Sequence, residues 1–93
     1  MKAIINDKMY DTEKAEKVID FRRKVDEGEI LNSGIHYTTY HEFVLYKTAK
    51  GNFFEHDTTK DTIAVVTEDI AREIVRQLDP DLYVEMFGEV EEA

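Results

Sequence analysis

The chain contains no cysteine and no tryptophan, and only one proline and four glycines among 93 residues. Without cysteine there is no disulfide framework, no thiolate nucleophile and no Cys-based zinc or iron–sulfur site, a composition compatible with a reducing cytosol. No apolar run approaches the roughly eighteen residues needed to span a bilayer. Met1 to Ile5 is followed at once by Asn6, Asp7 and Lys8, which leaves no signal-peptide pattern, so a cytoplasmic location is expected. Low glycine and proline also leave no room for a linker, and 93 residues suit one domain able to fold without staples.

Bases are the other scarcity. Twelve Lys and Arg face 21 Asp and Glu, a formal charge of -9, while 42% hydrophobic residues argue against a disordered acidic tail. The imbalance is segregated. Residues 1–24 carry five acids and seven bases, and residues 47–76 carry six and five. Residues 25–46 carry four acids and residues 77–93 carry six, with no base in either stretch. Charge gathered in this way suggests a face rather than mere solubility.

Lys2 to Ile5, the turn residues Asn6 to Lys8, and Met9-Tyr10 predict a small N-terminal hairpin. Asp11 or Thr12 then offers an N-cap for a short helix over about 12–17, and the β-branched and aromatic residues after Lys17 predict a strand over about 18–25. A helical stripe of Ala15, Val18, Ile19, Phe21 and Val25 competes with that strand, and periodicity alone does not separate them. Asp26 to Glu29 and Asn32 to Gly34 read as loop around Ile30-Leu31. His36 to Lys47 predicts a long strand. Thr48 to Gly51 is a four-residue hairpin loop with Gly51 left-handed, and Asn52 to His56 returns beside that strand. Thr62 to Val66 is a further strand or an extended lead-in to Thr67, the cap of a helix with Ile70, Ile74, Val75 and Leu78 inward. Asp79 caps a last helix with Pro80 at its first position, ending near Gly88. The expected fold is α+β: one small domain with an antiparallel β-sheet of about three to five strands, a short N-terminal helix and two C-terminal helices, and 89–93 as a frayed acidic tail.

The opening KAIINDKMYDTEKAE, the central LYKTAKGNFF and the ending TEDIAREIVRQLDPDLYVEMFGEVEE resemble a group of small proteins carried on bacterial mobile elements and prophages. Those proteins open with lysine, Ile-Ile-Asn-Gly-Lys, Tyr-Asp-Thr and a nearby Ala. Asp7 stands here where the group commonly has Gly, and Glu55 to Lys60 stands in place of a Gly-rich segment. Small acidic proteins of such elements include anti-CRISPR proteins, so the resemblance implies an inhibitor acting in a bacterial host cell.

Asp81, Glu85 and Glu89 fall at i, i+4 and i+8, about 6 Å apart along the axis if the helix persists past Gly88. Like charges at that spacing repel, and acids crowd the helix end that prefers cations. Stability does not ask for this arrangement. Phosphate mimicry does, since duplex DNA presents about one charge per 1.7 Å of axis to matching Lys and Arg. The plain alternative is a solvated face, with Asp79 and Asp81 explained by capping. The candidate partner-binding residues are Asp79, Asp81, Glu85, Glu89, Glu91 and Glu92, helped by Asp26, Glu27 and Glu29. The expected partner is a basic nucleic-acid-binding protein such as a CRISPR effector subunit, with no direct nucleic acid and no membrane.

The competing surface is the strand bearing Tyr37, Tyr40 and Tyr46, since tyrosines are favoured anchors at protein interfaces; it would make the chain an accessory or antitoxin-like module. Tyr37 and Tyr40 point to opposite faces of a strand, so at least one suits the core, as do Phe43, Leu45, Phe53 and Phe54. His36, His41, His56 and Asp57 lie near one hairpin, but their spacing matches no two-histidine ligand motif. No nucleophile elbow or phosphate-binding loop occurs, and acid pairs such as Glu55 and Asp57 are common by chance, so neither cofactor nor enzyme activity is expected. Arg22-Arg23-Lys24, with Lys14 and Lys17 nearby, is the only basic concentration and suits a solvated or ion-paired strand face.

Overall fold

A computed structural model describes residues 1–93 as two antiparallel sheets and two C-terminal helices, an α+β architecture. β1 (Lys2–Ile5) and β2 (Lys8–Asp11) form the expected hairpin. Asn6 and Asp7 both take left-handed backbone (φ 53° and 62°), the turn that matches strand twist, and Asp tolerates it. β3 (Glu16–Glu29), β4 (His36–Lys47), β5 (Phe53–Asp57) and β6 (Thr62–Val66) form a second sheet in chain order. α1 (Glu68–Leu78) and α2 (Pro80–Phe87) follow.

The short N-terminal helix does not form. Asp11 does cap, accepting from the Glu13 amide at 2.9 Å, but only one turn closes before β3 begins at Glu16. The reason lies after Lys17, where Val18, Ile19 and Phe21 are drawn into the sheet to cover the core. β3 also runs four residues beyond the expected strand: Asp26 to Glu29 is ladder, not loop. Glu27 is the extra residue of a bulge there, and Gly28 beside it adopts φ 124°, which only glycine takes without strain.

The four-stranded sheet is covered on both faces at one end only. Leu45, Phe53 and Val66 meet Ala71 and Val75 of α1, with Leu82, Met86 and Phe87 of α2 packed alongside. On the opposite face Phe54 stacks on Tyr46 (5.1 Å between rings) and meets the edge of Tyr10 from the β1–β2 hairpin (5.5 Å). The α1 stripe is rotated from the expected one: Ile70 and Leu78 are half exposed, and Ala71 takes the sheet-facing position. A side chain ending at Cβ lets the helix approach the sheet closely. Thr67 caps α1, and Asp79 ends α1 and caps α2 through the Leu82 amide at 3.1 Å.

β4 pairs with β5 only from Phe43 to Lys47, so residues 22–29 of β3 and 36–42 of β4 continue as a two-stranded ribbon. The ribbon gives a long axis of 48 Å and a radius of gyration of 15.5 Å, against about 12 Å for a compact chain of this length. Tyr37 and Tyr40 lie on this ribbon and both are exposed, because no other element packs over them; neither is core.

Candidate functional site

The nine candidate carboxylates are divided between the two ends of the molecule. α2 lies against the start of β3 and the end of β4, where Glu85 shares a shallow cleft with Lys17 and Lys47 without an ion pair to either. Asp26, Glu27 and Glu29 lie at the far end of β3, roughly 30–35 Å away at the rise of a strand. They do not join the C-terminal acids in one patch.

At the C-terminal end, α2 stops at Phe87, and Gly88 turns the chain at φ 104°. The row therefore holds Asp81 and Glu85 on one helical turn, and Glu89 lies past the end of the helix with Glu91 and Glu92 in a segment without regular structure. Apart from half-buried Asp79, occupied as a cap, these acids are exposed. None of the six has an ion-pair partner, whereas acids earlier in the chain pair repeatedly: Asp20 with Lys17, Glu42 with Arg22, Glu55 with Arg23, Glu68 with Arg72 and Glu73 with Arg76. The C-terminal acids thus present their charge to solvent.

The ribbon end is different. Glu27 is mostly buried and neutralised: it accepts from the Thr39 hydroxyl at 2.6 Å and from His41 Nε2, and Lys60 Nζ lies 3.4 Å away. The Thr39 bond, then His41 and Lys60, hold its pKa down to about 2. His41 is buried, with its Nδ1 2.6 Å from Asp57 Oδ2, so both ring nitrogens face carboxylates. Asp57, then Glu27, raise the pKa of His41 above its ordinary value, the condition for an imidazolium donating twice. Burial works against a charged Asp57, but its bonds to His41 and to the Lys60 and Thr59 amides prevail and lower its pKa. One imidazolium and one ammonium balance two carboxylates, and the cluster ties the bulge of β3 to β4 and to the β5–β6 turn. Glu27 is therefore a structural anchor.

Asp26 accepts from the Gly28 amide at 2.8 Å and pairs with His36 at 2.9 Å; the amide first, then His36, lower its pKa. Glu29 accepts from the Gly34 amide in the loop beyond. Of the basic run, Arg22 and Arg23 are ion-paired, and Lys24 lies over the Tyr40 ring at 5.6 Å. Every histidine has a carboxylate neighbour, His56 with Asp61 at 2.8 Å. The His41 cluster itself was open to sequence reasoning: His41 continues the inward alternation of Leu45 and Phe43, and that period marks it as buried and in need of partners.

No helix is long and apolar enough to cross a membrane. No protein-family profile, curated protein or solved structure matches the chain.

Proposed function

We propose that this protein is a non-catalytic inhibitor whose C-terminal carboxylates occupy the basic nucleic-acid-binding site of a bacterial defence complex, in the manner of an anti-CRISPR protein. The observation that carries the reading is the absence of any ion-pair partner for Asp79, Asp81, Glu85, Glu89, Glu91 and Glu92, whereas nine of the other fifteen acids are paired. Exposed acids at the negative end of α2 oppose the helix dipole, a cost that a cationic partner would relieve. Asp81 and Glu85, one turn apart, offer the kind of regular charge that a phosphate-binding groove accepts. Binding alone blocks target entry, and no covalent step is needed.

The partner is a nucleic-acid-binding protein in the host cytoplasm, and the resemblance to proteins of mobile elements supports a CRISPR effector subunit. Reversing Glu85, Glu89, Glu91 and Glu92 to Lys tests the reading: capture of such a protein from nuclease-treated bacterial lysate should be lost. Retained capture would refute it.

A second reading rests on the exposure on the ribbon of Tyr37 and Tyr40, over which no other element packs. Under it the chain binds a protein through that sheet as an accessory or antitoxin-like module, and Tyr37→Ala with Tyr40→Ala abolishes capture while the charge reversals do not.

A further inference from the structure

The ribbon ends in a loop, residues 30–35, that exposes Ile30, Leu31 and Ile35 with nothing packed over them. Leu31 is 94% exposed, the most of any large apolar residue here, and its backbone is left-handed at φ 41°. A leucine so placed costs the isolated fold twice, once in backbone strain and once in apolar surface left in water. The loop is nevertheless ordered by its own bonds: Ile30 N to Ile35 O at 2.8 Å, Ser33 N to Ile30 O at 2.9 Å and Ile35 N to Ser33 Oγ at 3.1 Å. Behind it, the Glu27–His41–Asp57 cluster fixes the ribbon to the body. Strain held in place at an exposed tip on an anchored stem is the arrangement of a preorganised contact.

The surroundings of the tip narrow what it meets. Asp26, paired with His36, and Glu29 flank it, and no Lys or Arg occurs from residue 25 to residue 46. A second copy would bring the same acidic collar and be repelled, and an anionic lipid surface would be repelled likewise. We propose that the 30–35 loop inserts Leu31 and Ile35 into an apolar pocket rimmed by lysine or arginine on a protein partner. For the partner's identity this rests on the function proposed above: the tip and the C-terminal acids engage one basic protein at two points roughly 35 Å apart along β3.

Photo-crosslinking the full chain in bacterial lysate, with photo-leucine placed singly at Leu31 or at Val90, tests this directly. The Leu31 adduct is expected on the same protein as the Val90 adduct, at a peptide of apolar residues bordered by Lys or Arg in that protein's fold. Leu31→Ser with Ile35→Ser should weaken binding to that protein by about tenfold or more while leaving its salt dependence intact. A Leu31 adduct with lipid, with a second copy of this chain, with a polar surface or with a different protein would overturn the proposal, as would no adduct or unchanged affinity. A Leu31 adduct of the expected kind without one at Val90 would keep the tip contact and remove the carboxylate decoy, so the two readings fail separately.

Discussion

Glu27, the residue β3 carries in excess of its partner strand, reaches across the ribbon to accept from Nε2 of His41. A carboxylate that the sequence offers as part of an acidic face is thereby consumed in holding the ribbon to the body. The six acids past Leu78, at the opposite end, have no such ion pair.

The cluster sets a pH dependence. His41 has a raised pKa in the folded state, so its stabilisation is complete below its ordinary value of 6.5 and fades as pH rises through the raised one. Glu27, held down to about 2, contributes above its ordinary 4.5 and loses that contribution as pH falls toward 2. Thermal melts should therefore give a Tm maximum at about pH 5 to 6.5, with decline on both sides. In His41→Phe the alkaline decline should disappear; a decline of equal size would contradict the assignment.

Loosening the cluster should release the ribbon and spare the body. In Glu27→Gln, hydrogen exchange should accelerate at amides 23–29 and 36–41 while 43–47 and 53–57 keep their protection. Uniform acceleration would mean that the cluster supports the whole fold instead.

Phe54 is fully buried between Tyr46 and Tyr10 and joins the β1–β2 hairpin to the sheet. Phe54→Ala should cost about 3–5 kcal/mol in denaturant unfolding, a large part of the stability of a domain this small. A cost under about 1 kcal/mol would show that the hairpin does not complete the core.

Asp79 serves two helices, and its carboxylate caps α2. Asp79→Ala should cost about 1 kcal/mol, and Asp79→Ser should recover most of it. Asp79 is also one of the proposed docking carboxylates, so Asp79→Ser should weaken partner binding; unchanged binding would reduce it to a cap.

Local chemistry made much of this fold legible. Asn6-Asp7 at a hairpin turn, Gly51 in the next, Thr67 and Asp79-Pro80 at helix starts, and the inward Phe43 and Leu45 all act through neighbouring residues, and all stand where the sequence puts them. The misreadings have a common cause. The turn after Asp11 stopped short of a helix, Asp26 to Glu29 became ladder, and α1 rotated to present Ala71, each because a distant element decided the outcome. Burial of Tyr37 or Tyr40 failed similarly, since period-two alternation names a face but not whether another layer covers it. For the candidate site, charge segregation marked the C-terminal acids. It did not reveal that His41 would meet Glu27 and Asp57, 14 and 16 residues away along the chain.

The measurement closest to the central claim is the association rate of the captured partner with the wild-type chain and with the Glu85, Glu89, Glu91 and Glu92 to Lys variant, across ionic strengths. Steering by unpaired carboxylates predicts a wild-type rate that falls steeply with added salt and a variant that binds slowly or not at all. A rate indifferent to salt, or a variant that associates as fast as the wild type, would contradict it.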